Sequence, residues 1–335
     1  MKKTCNITWQ EKDDFLADFF DSEVKNNQPI RIAHAINLFS KQKENTFGSI
    51  RSDGQENPGP PNLQLPNEQL TVIQSMRAAA GFSCTNGSPR PDLWGIANSE
   101  ELHLVPPDFE ALRLSHAENP SNERDLPPYA NQGLLPRLFD LLNSIKQNTN
   151  DATHVVFTNA DIHLQPWFYE VCCSFLQSGY DSLIVNRRTF ENYPDKPIPG
   201  IPEALRHAEI GITHPGLDCF VFPISWLDQF VATSAIIGRG AVMRSLLFNM
   251  AAIAKNLLVL SHAQMTYHFG DDRPWMLPEA QAAREYNITQ AAKLWLRLVQ
   301  TERYKKNLVA LGKIFPKYLP GLPVETLDKF LTTEK

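Results

Sequence analysis

The stretch His154-Val155-Val156-Phe157-Thr158-Asn159-Ala160-Asp161 runs from an apolar core segment straight into a polar turn. A short run of valine and phenylalanine without polar alternation reads as a strand buried on both faces, the kind found in parallel sheets. Ahead of it, Leu134, Leu135, Leu138, Leu141, Leu142 and Ile145 recur at helical spacing and predict an amphipathic helix. Behind it, Pro166 opens a second helix with Trp167, Phe168, Val171, Phe175 and Leu176 on one face. A buried strand between two one-sided helices sets the class as α/β.

Working outward, Ile30–Phe39 reads as the first strand and Asn67 caps a helix to about Ala80. The polar, Pro- and Gly-rich 40–66 reads as a long loop inside the domain, because no complete core precedes it. An opening helix is predicted at Thr8–Val24, a weaker strand at Asp92–Ala97, and irregular chain from there to Tyr129. Further strands are predicted at Ser182–Val185, Leu217–Pro223 and Met265–Phe269, and a helix at Gly238–Lys255. From Pro278 the chain turns mainly helical, so residues 1–277 form the α/β domain and 278–335 a helical C-terminal extension.

With 335 residues and 42% apolar side chains, the chain is long enough for a sizeable core. Its 32 Lys and Arg against 37 Asp and Glu leave a net charge of -5, which argues against a general nucleic-acid binder. Five cysteines without metal-type CxxC spacing predict a reducing, cytoplasmic setting. No apolar run reaches the length of a membrane span, so no transmembrane segment is expected.

Ligands of open α/β sheets sit at the carboxyl ends of strands, which points first to Asn159 and Asp161. Asp161 suits a hard divalent cation and Asn159 a ribose hydroxyl or metal-bound water; both residues also suit a plain turn and helix cap. A second cluster, His268-Phe269-Gly270-Asp271-Asp272-Arg273-Pro274-Trp275, holds an imidazole, two carboxylates and a guanidinium in eight residues. Those are the parts of a metal–diphosphate site, or of a tight surface turn with Arg273 in a salt bridge. Arg187 and Arg188 follow a strand and read either as phosphate or anionic-acceptor contacts or as a solvated or salt-bridged pair. Asp218, among Leu217, Cys219 and Phe220, reads as a general base or acceptor-hydroxyl holder, or as a structural cap or buried ion pair. Gly238-Arg239-Gly240 offers backbone N–H groups to an anion. His34, His154, Cys172 and Cys173 read as core residues.

Together the two clusters resemble those of the GT-A nucleotide-diphospho-sugar transferases. The late one is similar to the HxxGxxKPW segment of glycogenin-like retaining enzymes, one residue shorter. That resemblance implies a GT-A-like, Rossmann-related mixed sheet flanked by helices. It implies a DxD-like motif at Asn159 and Asp161, a cation (Mn²⁺ or Mg²⁺) on Asp161 and His268, and Arg273 on phosphate. Asn159 stands where the family carries Asp, which removes one charge from the site. Asp161-Ile162-His163 fits a DxH variant as an alternative register. The implied activity is hexosyl transfer from a nucleotide-sugar donor to a hydroxyl of a carbohydrate or other acceptor. The nucleotide is expected at Leu38–Ser40 and Thr158–Asp161. A nucleotidyltransferase acting on a sugar phosphate, or a non-catalytic interaction protein of the same fold, are the alternatives.

Overall fold

The computed structural model describes residues 29–40, 64–85, 89–114, 136–148, 151–190, 211–214, 216–270 and 278–299, with isolated positions at 276 and between 301 and 307. The helix predicted at Thr8–Val24, most of the 40–66 loop, Arg273 and the end of the tail lie outside the described residues.

Strand β4 (His154–Thr158) is buried at every position, as its unbroken apolar run requires. It pairs in parallel with β1 (Ile32–Asn37), which pairs in parallel with β2 (Asp92–Ala97). Beyond β2 lies β3 (Glu110–Arg113), a parallel edge strand in a region predicted irregular. Only Leu112 of its four residues is buried, so the apolar pattern was too thin to mark it. On the other side β9 (Cys219–Pro223) runs antiparallel between β4 and β6 (Ser182–Val185), and β10 (Leu257–Leu260) closes that edge. The seven strands are ordered β10-β6-β9-β4-β1-β2-β3.

Side chains of β4 alternate between two cores. Val156 joins α1 (Asn67–Thr85) and α3 (Phe168–Gln177) through Ile73, Met76 and Cys172. Val155 and Phe157 face the opposite core with α2 (Leu138–Gln147) and α4 (Arg244–Ile253). Ala291 and Leu294 of α5 (Gln281–Leu298) belong to that second core, so the helix after Pro278 is packed with the sheet domain. The mixed sheet with helices on both faces is the architecture that the GT-A resemblance implied.

A second sheet, β5 (His163–Leu164), β11 (Thr266–Phe269), β7 (Arg187–Phe190) and β8 (Ile212–Thr213), stands beside the carboxyl end of β4. The chain crosses from β6 into β7 at Asn186, which is 1% exposed. Its amide donates to the carbonyls of His214 (2.7 Å) and Ser261 (3.3 Å), and its Oδ1 accepts from the Arg187 N–H. That fixes where Arg187 starts its strand. Helix α4 begins at Arg244, six residues later than predicted, because Gly238 (φ 74°), Gly240 (φ 38°) and Ala241 (φ 61°) are left-handed.

Candidate active site

A cavity of about 760 Å³ opens at the carboxyl end of β4. Asn159, Asp161, Arg187, Asp218 and His268 all line it, brought together from the β4–β5 turn, β7, the approach to β9, and β11. Arg188 does not. Adjacent strand residues face opposite sides, and its Nη1 donates instead to Thr213 Oγ1 at 2.8 Å. His163, the alternative register's ligand, also lies off the cavity wall. It is buried, its Nε2 2.8 Å from Thr71 Oγ1 and its ring stacked on Tyr267 at 5.0 Å. Burial pulls its pKa down to about 3, with the His268 charge adding to that.

His268 and Asp161 form a directed pair. Nδ1 of His268 lies 2.8 Å from the Gly270 carbonyl, which can only accept, so Nδ1 carries a proton. Nε2 then faces Asp161 Oδ2 at 3.1 Å. Either Nε2 holds a second proton and the contact is an ion pair, or its lone pair is free for a cation. Burial would raise the Asp161 carboxyl, but the His268 hydrogen bond and charge, with Arg187, outweigh it and hold the group below the usual range. Its Oδ1 is buried without a hydrogen-bond partner. Among the described residues no group of three or more His, Cys, Asp or Glu side chains is gathered as for a metal.

The neighbouring pair explains the Asn at position 159. Its Nδ2 donates to Asp218 Oδ1 at 3.2 Å, a bond that an aspartate there could not make. Asp218 Oδ2 lies 3.0 Å from Arg187 Nη1, close enough for an ion pair though not aligned as a hydrogen bond. The Arg187 side chain is only 5% exposed. His214 completes the group. The Gly216 N–H donates to its Nδ1 at 2.8 Å, so a neutral ring carries its proton on Nε2. Nε2 lies 3.2 Å from Arg187 Nη2, and two donors at that distance make a close polar contact only.

Where the nucleotide was expected, Phe39 lines the cavity and is 43% exposed. Gln69 of α1 accepts from the Phe39 N–H (3.2 Å) and donates to the Phe39 carbonyl (3.1 Å), standing in for a strand neighbour. Glu101 Oε1 accepts from both the N–H and hydroxyl of Ser40, at 2.7 and 2.6 Å. Beneath the turn, fully buried His34 contacts Tyr169 Oη and Thr158 Oγ1, each at 2.9 Å, and burial lowers its pKa to about 3.

Sequence reasoning missed Asn287. This fully buried residue of α5 accepts from the Ile236 N–H at 2.8 Å. It donates to the carbonyls of Ile236 (2.9 Å), Arg239 (2.6 Å) and Gly240 (3.0 Å). It therefore clamps the left-handed segment that forms part of the cavity wall. The available signal was an asparagine spaced with Ala283, Ala291 and Leu294 in the buried stripe of a helix.

No protein-family model and no curated protein matches the chain. Among solved structures it is similar to residues 1–349 of S. aureus TarS in complex with UDP-GlcNAc, at 9% identity and TM-score 0.47 over 88% of this chain and 73% of that one. A longer S. aureus TarS structure gives 11% identity and TM-score 0.44 over 88% and 44%. The 4-diphosphocytidyl-2C-methyl-D-erythritol synthase of Anaerococcus prevotii gives 7% identity and TM-score 0.33 over 77% and 96%.

Proposed function

We propose that the protein is a glycosyltransferase that moves a hexosyl group from a nucleotide-diphosphate-sugar donor to an acceptor hydroxyl. The reading is carried by one observation. Asp161 with His268, and Asp218 with Asn159 and Arg187, converge on a single cavity at the strand ends, beside the aromatic ring of Phe39. In the reaction the bond from the anomeric carbon to the diphosphate oxygen breaks and a bond to the acceptor oxygen forms. The hydroxyl proton passes to the Asp218 carboxylate, whose orientation Asn159 sets. Arg187 supplies positive charge near the departing diphosphate.

Mn²⁺ or Mg²⁺ fits the pair that would hold it. Asp161 has a buried oxygen lacking a partner, and the Nδ1 bond of His268 turns Nε2 toward the same carboxylate. Such cations commonly take one or two protein ligands and complete their shell with phosphate oxygens and water. A bound cation would neutralise charge on the leaving diphosphate. Arg273, beyond the described residues, belongs to the proposal as a phosphate contact.

The test is a thermal-shift titration with UDP, GDP, CDP and dTDP, each with and without Mn²⁺, on wild type and Asp161→Ala. Metal-dependent stabilisation by one nucleotide, lost in the variant, is the expected result. No stabilisation by any of the four sinks the reading. A shift that survives in Asp161→Ala removes that residue from it.

A further inference from the structure

Two charged residues of the cavity have no part in the transfer chemistry above. Arg239 and Arg244 belong to one continuous segment, residues 238–244, all of which line the cavity. Among the described residues, Arg239 meets no carboxylate within ion-pair distance. The backbone beside it turns its donors toward the open space. Asn287 takes the carbonyls of Arg239 and Gly240, at 2.6 and 3.0 Å. A trans peptide points its C=O and N–H in opposite directions, so the N–H groups of Gly240 and Ala241 point away from Asn287. On the Asn287 side lies closed core, since that residue is fully buried; on the other side lies the cavity. Neither N–H donates to a protein acceptor among the described residues, and nor do those of Val242 and Met243, which lead into α4. Unfilled donors in such a turn, next to a guanidinium and at the positive end of a helix, attract an anion.

An independent side chain points to the same ligand. Asn37 ends β1, lines the cavity and is 9% exposed, yet its amide makes no hydrogen bond among the described residues. Ala33 and Ala35 pack in the core with α2 and α4, whereas Ile36 and Leu38 pack in the other core. Strand alternation therefore puts Asn37 on the face that α4 covers, the side where the 238–244 segment lies. A buried amide without a partner costs free energy that a polar ligand would recover.

We infer that this part of the cavity seats a phosphoryl group of the acceptor. Two backbone N–H groups, a guanidinium fork and an amide are more donors than the two oxygens of a carboxylate can use, and they suit the three terminal oxygens of a phosphate monoester. The word acceptor rests on the transfer reading above, which assigns Arg187 and the Asp161–His268 pair to the donor's diphosphate; the phosphate seat itself stands on Arg239, Asn37 and the open N–H groups.

The probes are sn-glycerol 3-phosphate, glycerate and glycerol, which share a small polyol body and differ in the anion. Each is titrated by calorimetry into the full chain, alone and with Mn²⁺ and the nucleoside diphosphate that stabilises it. Glycerol 3-phosphate should bind in both conditions, at least about tenfold more tightly than glycerate, and glycerol should give no signal. Arg239→Gln removes the charge from a side chain with no carboxylate to lose, so the fold should survive and glycerol 3-phosphate should weaken by at least about tenfold. Asn37→Asp keeps the shape, places a negative charge in the seat, and should weaken it by a similar factor. Stabilisation by the nucleotide should remain in Arg239→Gln. Glycerol 3-phosphate binding no better than glycerol or glycerate overturns the inference, as does unchanged affinity in either variant. Displacement of glycerol 3-phosphate by the nucleotide also overturns it, because the seat would then hold the donor's diphosphate. Failure of every nucleotide to stabilise the protein would remove the transfer reading, while the comparison of probes and variants still decides the phosphate seat.

Discussion

Asn159→Asp makes an acidic pair of residues 159 and 161, and the structure says that it should damage the protein. The substitution is isosteric, so it replaces the Nδ2 donor 3.2 Å from Asp218 Oδ1 with a second carboxylate oxygen. Two unit charges at that separation repel by about 5 kcal/mol at an effective dielectric constant of about 20. Arg187, already 3.0 Å from Asp218, and residual solvent offset part of that, leaving a net destabilisation of about 2 kcal/mol. For a chain of this size, that is a fall in Tm of about 3 °C. The penalty is pH-dependent with a definite sign. Crowded carboxylates hold a shared proton to higher pH than they do unfolded, so the pair is tolerated in acid and the loss grows as pH rises through that shared titration. Thermal unfolding of variant and wild type in EDTA at pH 5 and pH 8 reads the difference directly. The gap should open to about 3 °C at pH 8 and narrow to about 2 °C at pH 5. A gap within 1 °C at both values would refute the claim that Asn159 holds Asp218.

Three more outcomes follow from the same structure. Asn287→Ala leaves three carbonyls without their donor, so it should destabilise by about 3 kcal/mol and speed amide exchange in 236–243, measured by urea unfolding and hydrogen exchange. His34 and His163 (about 3) and His154 (about 4) are held neutral by burial, well below the ordinary 6.5. Unfolding therefore takes up protons in acid: the stability is complete above about pH 6.5 and is lost by up to ~1.4 kcal/mol per pH unit per histidine as pH falls toward 3. His34→Gln should remove one proton's worth of that slope in urea titrations between pH 7 and 5, and an unchanged slope would show that His34 does not titrate on unfolding. Gly95→Ala places a Cβ 2.7 Å from Val105 Cγ1 and 2.9 Å from Leu38 Cδ1, so a loss of about 1–3 kcal/mol is expected by calorimetry.

The sequence by itself determined the class of fold and the strand ends to inspect. Residues 154–157 could be little other than a doubly buried strand, and the helix faces on either side of it settled where the layers lie. Periodicity reports local burial, so β3, with one buried residue, left no pattern to read. The late start of α4 was hidden as well, since Ala241 takes a left-handed conformation that its residue type disfavours. At the site, Asn159, Asp161, Arg187, Asp218 and His268 were legible as chemistry-bearing residues beside strands. What only the tertiary structure decided was who meets whom. Asp161 and His268 are 107 positions apart, and Asn159 and Asp218 59 apart, so their pairing depends on strand order and on the crossing at Asn186. The same geometry turned Arg188 and His163 away from the cavity. It also brought Asn287 from the C-terminal helix to the cavity wall, because hydrogen bonds between distant segments form only once the core has set their distance.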